Sequence, residues 1–174
     1  MQSVEEYSEG ESHKRIAPPI RCPNCRKPGS LRVLGYYSRY TTRIRSGTPL
    51  IHIRRFRCLQ CQRTTSLLPS FAQPYRLVLT ETIEAYMAGN TSRPDVLRSE
   101  DHLKRYWQQY LLWLPHLRVH LHKQLRHVAI RTAEAVWQAV MQLGGGLTLT
   151  TLMLTREHQI TMFGRYKCHL PNPP

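Results

Sequence analysis

Acidic residues are missing from a long stretch of this sequence. No Asp or Glu occurs between Ser12 and Thr80, a block of 69 residues that contains fourteen Lys and Arg. Residues 1–11 have the opposite bias, with four glutamates and no Lys or Arg. A block that cannot neutralise its own charge repels itself unless an external anion faces it. The composition therefore favours a polyanionic partner, above all nucleic acid, over an ordinary solvated basic surface.

Long apolar runs are also missing. The sequence contains no run of about 18 apolar residues, so it predicts no membrane span. The first twelve residues, MQSVEEYSEGES, are acidic and polar, which does not match a secretory signal. We therefore expect a cytoplasmic, nucleoid-associated protein whose thiols stay reduced.

Cysteine is scarce, and its placement is regular. Four of the five cysteines form two Cys-x-x-Cys pairs, Cys22/Cys25 and Cys58/Cys61, with 32 residues between the pairs. Each pair places two thiolates on one side of a tight loop, and two pairs complete the tetrahedron that zinc prefers. We predict one structural Zn²⁺, because a catalytic zinc keeps an open position that four cysteines do not leave. An iron site would use the same four sulfurs, but the chain offers no redox context.

β-Forming residues occupy the interval between the two cysteine pairs. The stretches 31–40 (LRVLGYYSRY) and 50–57 (LIHIRRFR) predict the two strands of a hairpin, and Ser46–Pro49 supplies turn residues. Some of the neighbouring arginines can offset the charge of the thiolates. The arginines proposed to contact phosphates are those of the hairpin, Arg39, Arg43, Arg45, Arg54 and Arg55.

The residues after the second cysteine pair predict a mainly helical region. Two prolines mark an extended linker in the stretch TTSLLPSFAQPYRLV. Helices are expected over 80–88 and 94–98, and a third, longer helix is expected with Ser99 as its N-cap. This layout is that of a helix-turn-helix, with Trp107 and Leu111 buried. The candidate base contacts on the longer helix are Lys104, Arg105, Gln108 and Gln109.

A further long helix is predicted over 115–143, opened by Pro115 and ended by the glycines at 144–146. Its basic outer face could line a phosphate backbone or pair with a second copy of the chain, which would make a homodimer. Beyond the glycines, the apolar run LTLTTLML suggests a pair of strands.

These elements predict an α+β fold, in which a small N-terminal β zinc ribbon precedes a mainly helical, helix-turn-helix-like region. The expected organisation is a disordered tail over 1–19, the ribbon over 20–76, the helical domain over 77–143 and a glycine-linked tail over 144–174.

Catalytic patterns are weak in this sequence. His120-Leu121-His122 resembles a nuclease motif that requires a strand, but it lies in a helical pattern, where residues i and i+2 face apart. Two-metal chemistry needs clustered carboxylates, and Asp95 and Asp101 are the chain's two aspartates. We therefore expect a protein that is not an enzyme.

The order of motifs is familiar from one group of proteins. The segment CPNC, the basic hairpin and the segment RRFRCLQCQRTTSLLPSFAQPY followed by helices resemble the zinc ribbon and helix-turn-helix at the N-termini of bacterial insertion-sequence transposases. They are still more similar to a stand-alone bacterial family of unassigned function. The resemblance covers roughly residues 20–114 and implies zinc on the four cysteines, DNA binding, and an accessory or regulatory role in transposition. Arg26 and Gln62 stand where such knuckles usually have glycine, and Thr65 where an aromatic is usual.

Two other functions remain open at this point. Tyr36, Tyr37, Tyr40 and Phe56 lie among the arginines, and aromatic rings that stack on unpaired bases favour an RNA-binding or single-strand-binding module. A protein-interaction scaffold in which zinc only holds the shape is the third alternative.

Overall fold

Helices and β-strands both contribute to the structure, a computed structural model that describes residues 4–9, 11–41, 49–122, 132–165 and 169–171. The predicted α+β class is therefore confirmed. The chain forms two compact units, of which the first comprises Met1–Leu79 with Lys167–Pro174 and the second Thr80–Tyr166. The predicted boundary at 76/77 lies close to the division at 79/80.

The elements are numbered in chain order. They are α1 (Val4–Glu9), α2 (Ser12–Arg15), β1 (Leu31–Tyr40), β2 (Leu50–Cys58), β3 (Thr64–Leu68), α3 (Thr80–Met87), α4 (Pro94–Arg98), α5 (Glu100–His120), α6 (Ala133–Gly144), α7 (Leu147–Glu157), β4 (Ile160–Thr161), β5 (Gly164–Arg165) and β6 (His169–Pro171).

The first unit is built on a sheet with the strand order β1-β2-β3-β6. β1 and β2 form the predicted antiparallel hairpin, and the pairing runs from Leu31 opposite Cys58 to Tyr40 opposite Leu50. β3 adds antiparallel to β2, and β6 adds parallel to β3. The sequence analysis assigns 64–68 to an extended linker; these residues form a strand instead, because β2 offers them a free edge to pair with. The predicted turn, apart from Pro49, lies outside the described residues.

The N-terminal residues differ from the disordered tail predicted over 1–19. They form α1 and α2, and Val4 and Tyr7 of α1 are buried in a core with Ile51, Ile53 and Leu68. The Tyr7 hydroxyl donates a 2.8 Å hydrogen bond to the backbone oxygen of His52. The segment is acidic overall, but it contains two residues, Val4 and Tyr7, that are buried in the core. Their burial stabilises a helix that is too short to be stable alone.

The second unit contains the predicted helices α3, α4 and α5. The bounds of α4 are those predicted, but the Ser99 side chain makes no capping hydrogen bond at the start of α5. α5 also continues through Pro115 to His120, so the single helix predicted over 115–143 is not present. Residues 123–131 lie outside the described residues, and the homodimer expected through that helix stays a prediction.

The core of the second unit is centred on two aromatic side chains. Tyr110 and Trp137 are buried and meet edge to face, with ring centroids 5.4 Å apart. Burial raises the pKa of the Tyr110 hydroxyl, which donates a 2.8 Å hydrogen bond to the backbone oxygen of Ala133. The Trp113 indole N–H donates to the backbone oxygen of Thr161, which connects α5 to the short β4–β5 hairpin.

The run LTLTTLML forms helix α7, and not the strands predicted there. Its buried positions are Leu147, Thr150, Thr151, Leu152, Leu154 and Thr155. All of them except Leu152 lie at i, i+3, i+4, i+7 and i+8, which is the spacing of one helical face. The alternation of Leu and Thr imitates a strand, but only the helical period buries one continuous face. The predicted glycine-linked tail over 144–174 is therefore largely structured: α7, β4 and β5 belong to the second unit and β6 to the first.

Helices α6 and α7 approach closely where Gly144 meets Thr150. A methyl group at residue 144 would lie 2.7 Å from Thr150 Cα and would also collide with its hydroxyl. We predict that Gly144→Ala destabilises the second unit by about 1–3 kcal/mol through overpacking. All three tryptophans lie in this unit, at 107, 113 and 137, so chemical unfolding followed by tryptophan fluorescence reports on it.

Gln142→Ala is the matched control, because Gln142 is exposed in the same last turns of α6. Its effect should stay within about 0.5 kcal/mol. Equal unfolding midpoints for the two variants would contradict the close approach of α6 and α7.

Candidate metal centre and basic surface

The two Cys-x-x-Cys knuckles have the same backbone structure. In each, the first cysteine N–H donates to the carbonyl five residues later, Lys27 in one knuckle and Arg63 in the other, at 3.0 and 2.9 Å. In each, the residue after the second cysteine donates back to the carbonyl of the first, at 2.8 and 2.9 Å. Those residues, Arg26 and Gln62, both have left-handed backbones, with φ of 60° and 59°. The sequence analysis notes that glycine is usual there, and the left-handed φ explains that preference.

The four sulfurs of the knuckles converge on one point. Cys22 Sγ lies 3.8 Å from Cys61 Sγ, and Cys25 Sγ lies 3.6 Å from Cys58 Sγ. All four sulfurs lie within 4.8 Å of one another. A tetrahedral ion with metal–sulfur bonds of about 2.3 Å would have sulfurs about 3.8 Å apart, whereas a disulfide bond measures about 2.05 Å. The structure therefore brings together all four predicted ligands, and the Cys22–Cys61 and Cys25–Cys58 separations are close to those around a tetrahedral metal ion.

The surroundings of the sulfurs differ between the knuckles. The Ser30 hydroxyl lies 3.2 Å from Cys58 Sγ, and this hydrogen bond lowers the pKa of the Cys58 thiol to about 6. The Arg63 backbone N–H lowers the pKa of Cys61, whereas burial raises the pKa of Cys22 to about 12. The pKa values of Cys22 and Cys58 are therefore shifted in opposite directions. A bound cation would favour the ionised form of all four thiols.

Three side chains that the sequence analysis does not single out support this centre. Ser30 contacts Cys58, and its backbone oxygen also accepts a 2.8 Å hydrogen bond from the Leu59 N–H. Asn24 Oδ1 accepts a 3.1 Å hydrogen bond from Arg63 Nη1, which links one knuckle to the other. Arg32 Nη1 donates to the Gly29 and Leu31 carbonyls at the start of β1. Sequence spacing marks the ligands, but no local pattern marks residues that meet them only after the hairpin has closed.

The arginines proposed as phosphate contacts have different surroundings. Arg39 is half-buried and donates to the backbone oxygens of Gln73 and Arg76, so part of its guanidinium is engaged within the protein, and its phosphate contact stays a prediction. Arg54 is half-buried, and its Nε is buried without a hydrogen bond in the described residues. The Arg55 guanidinium lies over the Tyr37 ring, 5.9 Å from the centroid. Arg43 and Arg45 lie outside the described residues.

Exposed basic side chains instead surround the knuckles and the adjoining ends of β1 and β2. They are Arg21, Arg26, Lys27, Arg32, Arg57 and Arg63.

The predicted base contacts are exposed on α5. Lys104 forms an ion pair of 2.7 Å with Glu100 one turn earlier, and Arg105, Gln108 and Gln109 are exposed beside it. Ser99 is the single residue between α4 and α5. A helix-turn-helix usually has three or four residues at this point, so the layout departs from that motif.

Two apolar residues of α5 differ from their predicted burial. Leu111 is exposed, and Trp107 is half-buried. Trp107 borders a cavity of about 370 Å³, together with Tyr86, Met87 and Glu134. Among the described residues that line the cavity, Glu134 is the single carboxylate.

Within the described ranges, no helix has both the length and the apolar surface needed to cross a lipid bilayer.

Comparison with known proteins identifies a family but no activity. Residues 20–106, half of the chain, match the family described as a domain of unknown function, DUF6431. The match includes both cysteine pairs, the strands β1 to β3 and the helices from α3 to the start of α5. No curated protein and no solved structure matches the chain.

The left-handed backbone of Gln62 can be tested by substitution. An L-residue with a side chain pays roughly 1–2 kcal/mol in this conformation, and glycine does not. We predict that Gln62→Gly gives a protein about 1 kcal/mol more stable than Gln62→Ala, since both variants lose the hydrogen bond from the Gln62 side chain to the Leu59 carbonyl. Chemical unfolding of the two variants measures the difference.

The control is the same pair of substitutions at Gln60, an exposed turn residue without a left-handed backbone. There Gln60→Gly should be the less stable variant, by about 0.4–1 kcal/mol. The same order of stability at both positions would show that residue 62 is not left-handed in the folded protein.

Proposed function

We propose that this chain, which belongs to the DUF6431 family, is a zinc-stabilised DNA-binding protein whose first unit is a zinc ribbon. One observation carries the proposal: four thiols that lie within 4.8 Å of one another belong to a unit whose Asp and Glu residues are confined to residues 5–11. The metal gives that unit its shape, and the excess of positive charge gives it a reason to bind a polyanion.

Zinc is the ion that the donor set favours. Four cysteine sulfurs make a soft, closed set, which is the usual arrangement of a structural zinc site and leaves no position for a substrate. Cys22 and Cys58 are buried, and Ser30 and the knuckle N–H groups surround the sulfurs, so the thiolate charge is partly offset from within the protein. The proposed role of the ion is therefore structural.

DNA is the proposed partner because the positive charge is concentrated near the metal centre and is not neutralised there. The exposed basic side chains around the knuckles have no acidic neighbour anywhere in residues 12–80. Contacts to phosphates supply most of the affinity of non-specific DNA binding. On α5, Lys104, Arg105, Gln108 and Gln109 are proposed to add base contacts, since Arg and Gln can read guanine and adenine. The similarity to the N-terminal regions of insertion-sequence transposases extends the proposal to an accessory or regulatory role in a mobile element, without a catalytic domain of its own.

Single-stranded nucleic acid is the second candidate partner. Tyr36 and Tyr40 are 54% and 59% exposed on the hairpin, which is unusual for side chains of this size. Exposed aromatic rings beside arginines are the stacking surface on which unpaired bases bind. In this alternative the protein has the same proposed zinc site but binds single-stranded nucleic acid and not duplex DNA.

Removal of one ligand tests the metal. Elemental analysis of the purified protein should find about one zinc per chain, and Cys58→Ser should lose it because three thiolates hold zinc far more weakly than four. Amide hydrogen exchange should then show loss of protection across residues 20–65. Cys168→Ser is the matched control, since Cys168 belongs to neither Cys-x-x-Cys pair, and it should keep both metal and protection. Retention of the metal by Cys58→Ser would exclude the four-cysteine site.

A salt series tests the partner. We predict that the full chain binds duplex DNA with an affinity that falls steeply between about 0.05 and 0.2 M salt, because phosphate contacts release counterions. Single-stranded DNA and RNA of the same length are measured in parallel. Tighter binding of single strands, lost in Tyr36→Ala and Tyr40→Ala, would favour the second candidate. Binding that does not respond to salt would contradict both.

A further inference from the structure

Two arginines lie directly opposite each other at the metal end of the hairpin. Arg32 of β1 pairs in register with Arg57 of β2, next to the pair formed by Leu31 and Cys58. Opposed side chains of an antiparallel pair have Cβ atoms about 4.5–5.5 Å apart, and like charges there destabilise the sheet. Arg55 lies two residues before Arg57 on the same face, about 6.6 Å along the strand. These three residues, Arg32, Arg55 and Arg57, are called the arginine row below.

The arginine row lies in a stretch of chain without carboxylates. The acidic residues of the first unit are the four glutamates in residues 5–11. Glu11, the last of these along the chain, pairs with Lys14. A sequence that opposes two arginines without a counter-charge keeps a cost that an external anion would remove.

The row is also oriented to receive an anion. Arg32 donates from Nη1 to the carbonyls of Gly29 and Leu31, at 3.0 and 3.2 Å, and its guanidinium is thereby held in place. Arg55 is steadied by the Tyr37 ring. Arg32 and Arg57 are exposed, and the Arg57 side chain has no hydrogen bond or ion pair with any described residue. A fixed guanidinium beside an unengaged one suits a phosphate group, which guanidinium groups bind through paired hydrogen bonds.

The next strand adds a hydroxyl group to the same face. Thr64 of β3 lies opposite Arg57 and is partly exposed. Hydroxyl side chains are common partners of phosphate oxygens in nucleic-acid complexes. The line from Arg32 through Arg57 to Thr64 therefore crosses three strands without a carboxylate.

We propose that the arginine row is a phosphate-binding surface and that its ligand is the sugar–phosphate backbone of nucleic acid. This inference rests on the proposed function and gives it a location, the face of the sheet beside the metal centre. The row keeps Arg55 from the hairpin arginines expected from the sequence and adds Arg32 and Arg57, whereas Arg39 donates to the backbone oxygens of Gln73 and Arg76. Its contacts carry no base information, so they contribute equally to every sequence.

The test compares two double variants of the full chain. Arg32→Gln/Arg57→Gln removes two charges from the row, and Arg98→Gln/Arg118→Gln removes two charges from exposed positions of the second unit. Affinity for duplex DNA is measured across a salt series. The row variant should lose affinity on the order of tenfold or more near 0.1 M salt and flatten the salt slope by about two units, at about 0.9 per contact. The control variant should keep the wild-type slope.

Two further variants exclude misfolding as the cause. Arg57→Gln alone disturbs no hydrogen bond to a described residue, so it should fold normally and flatten the slope by about one unit. Arg32→Lys/Arg57→Lys keeps the charge and should keep most of the slope, although affinity falls because paired hydrogen bonds are lost. Metal content and unfolding midpoints are recorded for each variant.

Separate outcomes distinguish the inference from the proposed function. If the row variant binds DNA as the control variant does, the arginine row is not the contact surface, and DNA binding stands. A second probe, inorganic tripolyphosphate followed by NMR of the arginine Nε–H signals, covers the remaining cases. If wild type binds no nucleic acid at low salt but tripolyphosphate shifts the row's signals, nucleic acid is not the ligand and the proposed function fails. If neither ligand binds, both are wrong.

Discussion

The closure of four cysteine sulfurs on one point is the constraint on which the first unit depends. Cys22 and Cys25 precede β1, Cys58 ends β2 and Cys61 follows it, so the sulfurs meet only if the hairpin pairs in one register. Leu31 opposite Cys58 is that register. A slip of one residue would exchange the two faces of the strand, exposing Phe56 and burying Arg57. The positions of the cysteines and the burial of Phe56 therefore favour the same strand register.

The same register decides where charge accumulates. In β2, Phe56 and Cys58 point into the protein, and Arg55 and Arg57 therefore share the other face. β1 then brings Arg32 opposite Arg57. No Asp or Glu occurs between residues 12 and 80, so this stretch contains no carboxylate that could neutralise the opposed arginines. The pairing that brings the four cysteines together therefore also sets two like charges side by side, and the proposed phosphate binding would depend on the same register.

Sequence reasoning identified elements whose signals are local. The strand at 31–40, the helix at 94–98 and the four clustered cysteines follow from β-propensity, a proline at the first turn and Cys-x-x-Cys spacing. It failed where order comes from distant partners. The segment around Tyr7 is acidic and short, and only its burial against Ile51 and Ile53 makes it a helix. In α7, local alternation of Leu and Thr suggested strands, and only the buried face decided for a helix. At the metal centre, Ser30 has no recognisable spacing to Cys58, because 27 residues of hairpin separate them before folding brings them together.

The arginines show why composition alone does not locate a binding surface. A count of basic residues establishes that positive charge is in excess, but the same side chain serves different purposes according to its position in the fold. Arg39 satisfies backbone carbonyls, and Arg63 ties one knuckle to the other through Asn24. Arg57, at an exposed position of β2, has no such partner among the described residues. An arginine engaged through both terminal nitrogens, as Arg39 is, contributes little to recognition, because binding a phosphate would first require breaking those bonds. Arg32 differs, since its side-chain hydrogen bonds to the described residues all come from Nη1. The surface that can recognise an anion is therefore defined by which donors the fold leaves unengaged, and that depends on strand register rather than on the number of arginines.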